Sequence, residues 1–177
     1  MRLGWDLKIR EEKSIDLRKI KEINDLAFGR ETESNIVDAI RKSPHFIPQL
    51  SLIAETGDGE VVGHILFSII SIQTKEESVK SLVLAPMAIT PKYQSQGVGS
   101  TLIREGLNRC GKMGFKHVVV LGHPNYYPRF GFIPAITKGI KAPFEVPNET
   151  FMVCELKKNS LEKVHGTVQF PEPLMSV

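Results

Sequence analysis

The chain has 177 residues, 41% of them hydrophobic, which suffices for one well-buried core and is too short to argue for two, so residues 1–177 are expected to form a single domain. A formal charge of +3, with no basic run longer than the pairs Arg41-Lys42 and Lys157-Lys158, offers no nucleic-acid face, although mild basicity suits an anionic ligand. The longest apolar stretch, Val61 to Ile72, falls short of the roughly 20 residues a bilayer crossing needs, and Met1 to Asp6 holds no apolar leader, so a cytoplasmic protein without membrane contact is expected.

Leu7 to Glu11 reads as a first short strand. Ser14 then offers an N-cap for a helix in which Ile15, Ile20, Ile23, Leu26 and Ala27 approximate one apolar face, ended by Gly29 at the C-cap. A second helix, about Thr32 to Arg41, carries Ile36, Val37 and Ile40 inward and stops at Ser43-Pro44. Leu50 to Glu55 and Glu60 to Ile72 are β-rich runs joined by Thr56-Gly57-Asp58-Gly59, a hairpin turn, and Thr74 to Ser78 leads into a strand from Val79 to Ile89. A helix starting near Val98 has an apolar stripe at Val98, Leu102, Ile103, Leu107 and Cys110 and ends at Gly114. Lys116 to Leu121 is a continuous apolar run of the fully buried kind; Pro134, Pro143 and Pro147 mark loops before a strand from Thr150 to Leu156. The succession predicts an α/β fold, a mixed central sheet with helices on both faces.

Between the strand ending at Ile89 and the helix starting near Val98 lies Gln94-Ser95-Gln96-Gly97-Val98-Gly99. Two residues without Cβ atoms let the main chain close on an anion, and the unpaired N–H groups of the helix's first turn and the macrodipole favour negative charge there. Spacing separates the phosphate loops. The dinucleotide fingerprint needs a third glycine where Leu102 stands. Gly106 to Lys112 has the glycine and lysine spacing of a nucleotide-triphosphate loop, but Met113 replaces the magnesium-binding hydroxyl and the stretch continues a helix.

Gln94, Gly97 and Gly99 match the Gln/Arg-x-x-Gly-x-Gly/Ala loop of the acetyl-CoA-dependent N-acetyltransferases. The strand Leu84 to Ile89 before it, Pro91-Lys92-Tyr93 leading in, and Tyr126-Tyr127-Pro128-Arg129-Phe130-Gly131-Phe132 about thirty residues later agree with that pattern in order and spacing. Over nearly its whole length, including Gly166-Thr167-Val168, the chain resembles the GNAT superfamily, and within it the bacterial YhbS-type N-acetyltransferases. The resemblance implies a GNAT-type fold in which the strands at 82–89 and 116–121 splay to admit the pantetheine arm of acetyl-CoA, the cosubstrate, against the main chain of Met87, Ala88 and Ile89. It places the pyrophosphate against Ser95, Gln96, Gly97, Val98, Gly99 and Ser100, with Gln94 shaping the loop, and offers Asn125 either as a pantetheine contact or as a cap.

The same resemblance makes Tyr127 the catalytic residue, a phenol beside the departing CoA thiolate, while Tyr126 packs. With a free Tyr near 10 and a thiol near 8.5, complete proton transfer is uphill by roughly 2 kcal/mol, so donation of a hydrogen bond is an equal alternative. The reaction implied is direct attack of a primary amine on the thioester, without metal. Val79 to Ile89 contains no acid for a general base. Glu33 is one candidate, or a first-turn acid favouring the helix dipole; His123 is another, or part of a Gly-His-Pro turn; a water chain is the third route. Loops at Phe28–Glu33, His45–Gln49 and Ala135–Asn148 are expected to frame the acceptor cleft, for a small molecule or an α-amino group. The rival reading is an acyl-CoA-binding sensor with little turnover. His64 reads as a core histidine, the five histidines show no metal spacing, and Cys110 and Cys154 read as reduced packing residues. Partners beyond acetyl-CoA and an amine are not expected, the chain acting as a monomer or homodimer.

Overall fold

The computed structural model describes residues 6–175; Met1–Trp5, part of the stretch read as lacking a leader, lie outside the described residues. Strand β1 (Leu7–Glu11) is followed by α1 (Leu17–Phe28) and α2 (Thr32–Arg41), then by the meander β2 (Phe46–Thr56), β3 (Val61–Gln73) and β4 (Ser78–Ile89). Helix α3 (Val98–Lys112) leads to β5 (His117–Leu121), and after it come β6 (Ile133–Pro134), β7 (Ile140–Lys141), β8 (Phe151–Glu155), β9 (Gly166–Gln169) and α4 (Glu172–Met175). The sheet runs β1-β2-β3-β4-β5-β8-β6, with β9 bridging β3 and β7. Within that path only β4 and β5 pair in parallel. No helix of the described residues is long and apolar enough to cross a membrane.

Both faces of the central strands are covered, which explains why β3 reads as an almost unbroken apolar run. On one face α3 packs Val98, Leu102 and Ile103 against Leu52, Ile65 and Phe67; on the other α1 and α2 pack Ile20, Ile23, Val37 and Ile40 against Ile53, Leu66 and Ala88. Helix α3 lies so close to the sheet that a Cβ at Gly106 would meet the Phe67 ring at 2.4 Å.

Three expectations are corrected. Ser14 is not the N-cap: Ser14–Asp16 form a 3-10 turn, and the buried Asp16 carboxylate accepts hydrogen bonds from the Lys13 N–H at 2.7 Å and from Arg10 at 2.8 and 3.1 Å. Ile15 thus falls in the 3-10 turn outside α1 and is 82% exposed, and the buried face of α1 runs through Ile20, Ile23 and Asn24, leaving Leu26 54% exposed. Strand β2 begins at Phe46 rather than Leu50, because Pro48 falls in the register irregularity between Phe46 and Ser51 where no regular ladder needs its missing N–H.

The splay is formed by β4. Ile65 faces Met87 and Phe67 faces Leu84, so Ala85 and Pro86 together oppose Leu66 in a bulge. Beside it β5 pairs with β4 at Leu82 and Val83 alone, then follows β8 away over five residue pairs. Among the described residues no strand lies along the β5-side edge of β4 from Leu84 to Ile89.

Candidate active site

The Gln94–Gly99 loop is held by its own side chains. Gln94 Nε2 donates to the Ile89 carbonyl at 3.0 Å and Gln96 Nε2 to the Lys92 carbonyl at 3.1 Å. Ser95 (φ 62) and Gly97 (φ 89) take left-handed conformations, and Gly97 caps α3, its carbonyl receiving the Thr101 N–H at 3.1 Å. The N–H groups of Val98, Gly99 and Ser100 therefore have no acceptor within the helix, the condition under which a helix N-terminus can hold an anion. They open on a groove of about 1200 Å³ whose walls include Met87, Ile89, Arg104, Tyr126 and Arg129. Arg104 lies over the Phe130 ring at 4.8 Å; Arg129 lies over Tyr126 at 5.1 Å and donates to Ser100 Oγ at 3.2 Å. Glu105 also borders this groove, paired with Arg109 at 2.9 Å. A Cβ at Gly99 would stand 3.0 Å from the Tyr126 hydroxyl and 3.3 Å from the Met87 methyl, so a side chain there enters the groove.

A second groove of about 710 Å³ opens on the other side of the splay, and Met87 lines both. Tyr127 lines the second. Its ring lies against Gly122, where a Cβ would meet Cε2 at 2.3 Å, and edge-on to Phe132 and Tyr126 at centroid distances of 5.6 and 5.2 Å. Burial first, and then the neighbouring Tyr126, push the Tyr127 hydroxyl up to about 12, so it stays protonated and remains a donor throughout the neutral range. Glu33, from the first turn of α2, has a side chain 9% exposed and receives Arg30 Nε at 2.9 Å and Nη2 at 2.6 Å.

A glycine-rich loop at a helix N-terminus, an open strand edge and a phenol lining the second groove agree with a match of the Acetyltransferase (GNAT) family profile to residues 17–132. The chain belongs to the GNAT family. It is 42% identical over 135 residues to the uncharacterized N-acetyltransferase YjhQ of Escherichia coli K12, covering 76% of this chain and 74% of that protein. Among solved structures it is similar to the E. coli GNAT N-acetyltransferase YhbS in complex with CoA, with TM-score 0.89 and 28% identity over 99% of this chain and 95% of that one. A Brucella melitensis GNAT acetyltransferase in complex with acetyl-CoA superposes with TM-score 0.77 and 29% identity over 97% of this chain and 99% of that one.

In this GNAT fold Met87, Ile89, Gln94, Ser95, Gly97, Gly99 and Ser100 line the first groove, and Glu33 and Tyr127 line the second. Ala88 and Val98 turn their side chains into the core, leaving only their main chain to the groove, and the Gln96 amide is occupied within the loop. His123 and Asn125 are exposed and line neither groove; the His123 ring accepts the Asn125 N–H at 3.2 Å and so belongs to the turn after β5. Tyr126 packs, as expected, but also turns its hydroxyl toward Gly99. Phe28–Glu33 and Ala135–Asn148 contribute Phe28, Glu33, Phe144 and Val146 to the second groove, whereas His45–Gln49 contribute nothing, since Phe46 opens β2 and the His45 ring engages the Ile69 carbonyl. Three features have no local signal: the cations Arg104 and Arg129, the close approach at Gly122, and the C-terminal wall Phe170, Leu174 and Met175. His64 is a buried histidine between Asn24 and Ser51, its pKa lowered by burial to about 3.

Proposed function

We propose that the chain carries an acetyl group from acetyl-CoA to a primary amine by direct attack, the acceptor being a small molecule or an α-amino group. The carrying observation is that Met87 belongs to both grooves, one with a phosphate loop and two guanidinium groups, the other with Tyr127. The first-turn N–H groups of α3, with Arg104 and Arg129, would hold the pyrophosphate, and the open edge of β4 would receive the pantetheine. An amine in the second groove attacks the thioester carbonyl; the new C–N bond forms, the C–S bond breaks, and Tyr127 donates a hydrogen bond to the leaving sulfur. The proton of the attacking amine leaves through water.

Deprotonating a lysine-like amine at pH 7 costs roughly 4.6 kcal/mol and an α-amino group about 1 kcal/mol, which favours acceptors of low pKa where no strong base stands by. Both Glu33 oxygens already engage Arg30, and β4 has no acid. That same observation favours a second reading, an acyl-CoA-binding sensor with little turnover. On either reading the chain is taken as one cytoplasmic domain, monomeric or homodimeric.

Thiol release from acetyl-CoA, measured against a panel of amines and basic peptides, separates the two. Release above hydrolysis with any amine supports transfer; binding of acetyl-CoA without release supports the sensor. Gly99→Glu, which adds bulk and negative charge at the loop, should abolish acetyl-CoA binding in a folded protein, and unchanged affinity by calorimetry overturns the assignment of the first groove.

A further inference from the structure

Among the described residues lining the second groove, Glu33 and Tyr127 alone carry polar side chains; the rest are apolar or aromatic. Several of the large hydrophobic side chains left exposed on the molecule, Phe28, Leu121, Phe144 and Met175, gather around this one groove. Phe144 stacks on Phe170 with ring centroids 5.9 Å apart and an interplanar angle of 22°, which gives one wall a flat aromatic surface. An apolar groove with a single nearly buried carboxylate selects by what it cannot solvate. A hydroxyl in the acceptor's body or a second charge would lose water there and find no partner on the apolar walls. A carboxylate on the acceptor would meet Glu33 with no lining cation to offset it. One ammonium is the complement, because Arg30 occupies two of the roughly four lone-pair positions of Glu33 and leaves the others for a second donor.

We propose, on the footing of the acetyltransferase reading above, that the second groove is the acceptor site for a primary amine on an uncharged apolar body, the amide of an aromatic amino acid with its low-pKa α-amino group ahead of an arylalkylamine. Glu33 receives the amine end and the Phe144–Phe170 wall holds the body. This narrows the α-amino class: an α-amino group qualifies when its carboxyl is blocked and its side chain is apolar.

The test uses the whole chain and four acceptors in the thiol-release assay: 2-phenylethylamine, phenylalaninamide, phenylalanine and serinamide. Phenylalanine adds a carboxylate to the favoured frame and serinamide removes the apolar body, and each is expected to fall at least tenfold in kcat/KM below phenylalaninamide. Glu33→Gln and Phe144→Lys should each raise the KM for phenylalaninamide about tenfold while leaving acetyl-CoA affinity unchanged; Phe144 is partly exposed, so its variant is expected to fold. Serinamide or phenylalanine matching phenylalaninamide overturns the inference and leaves the acetyltransferase reading standing. Octanoyl-CoA turned over faster than acetyl-CoA, with the Phe144→Lys variant losing that preference, assigns the groove to the acyl chain instead and overturns it too. Should no amine release thiol, the acetyltransferase reading fails by itself, and calorimetry of 2-phenylethylamine on the CoA-loaded protein still decides the site. Binding lost in Glu33→Gln supports the inference, and no binding overturns it.

Discussion

Tyr127→Phe removes one hydroxyl and keeps the ring that Gly122 and Phe132 hold. The structure changes what that hydroxyl can do. With its pKa pushed up to about 12, the gap to a thiol near 8.5 becomes about 3.5, and full proton transfer to the leaving sulfur is uphill by about 5 kcal/mol at 1.36 kcal/mol for each tenfold step. In the proposed mechanism Tyr127 therefore donates without transferring its proton, and losing one such donor to developing charge costs on the order of 10²–10³ in turnover. The variant should show that drop in kcat by thiol release, with acetyl-CoA affinity by calorimetry within about twofold of the parent, since the hydroxyl is needed only as charge develops. The sign of the pH dependence follows as well. A raised tyrosine pKa keeps the proton on, so parent turnover should not decline between roughly pH 7 and 10 on account of this residue, and should climb as free amine accumulates. Full activity in Tyr127→Phe across that range refutes the reasoning, and so does a parent profile that falls with an apparent pKa below about 10 in a limb the variant lacks.

Gly122→Ala places a methyl 2.3 Å from the Tyr127 ring, so the ring must move; kcat should fall at least tenfold with acetyl-CoA affinity kept and stability lowered by about 1–3 kcal/mol, measured by thiol release and urea unfolding. Arg129→Gln removes a cation from the first groove and its bond to Ser100, and should raise the acetyl-CoA Kd about tenfold and flatten its salt dependence, read by calorimetry at two ionic strengths. Asp16→Asn breaks a nearly buried pair, but Arg10 keeps Glu55 at 3.0 Å, so the cost at pH 7 should be about 2 kcal/mol, below the 3–5 of a fully isolated buried charge. Arg10 and then the Lys13 N–H hold the Asp16 carboxyl below its ordinary value, so this stabilisation is present above about pH 3.9 and is lost as pH falls further; parent and variant unfolding curves should converge in acid.

What the sequence displays follows from how local each device is. The second helix, the Gly59 turn, the Gly29 cap and the start of α3 rest on residues within one turn of each other, and their bounds agree with caps and periodicity. The Gln94–Gly99 loop is legible for the same reason, since Gly97 and Gly99 act within one turn of chain. The start of α1 is not, because Asp16 answers to Arg10 on a strand six residues earlier. His123 carries suitable chemistry in the sequence, yet its ring is used by the turn that contains it. Gly122 looks like any loop glycine until the Tyr127 ring is seen to occupy the space of its missing Cβ.

The two grooves differ in the same respect, and the difference bears on how this fold serves chemistry. The loop-bearing groove takes the main-chain part of its proposed anion site from one consecutive stretch, so that part's requirements are visible as a motif, while Arg104 and Arg129 come from outside it. The second groove takes Phe28 from α1, Glu33 and Ile36 from α2, Phe144 and Val146 from the loop before β8, and Phe170 and Leu174 from the C-terminal segment. No single segment there obeys a spacing rule, and each wall residue contributes bulk or polarity that several side chains supply equally well. Among the described residues Met87 alone lines both grooves, so changes at Phe144 or Leu174 should leave the Gln94–Gly99 loop untouched and add to the effects of loop variants. Substitution of Met87 touches both sites at once. On the proposed reading, an acceptor range set by dispersed apolar walls is free to change while the Gln94–Gly99 loop stays as it is, the loop holding the cosubstrate and the walls around Glu33 and Phe144 selecting the amine.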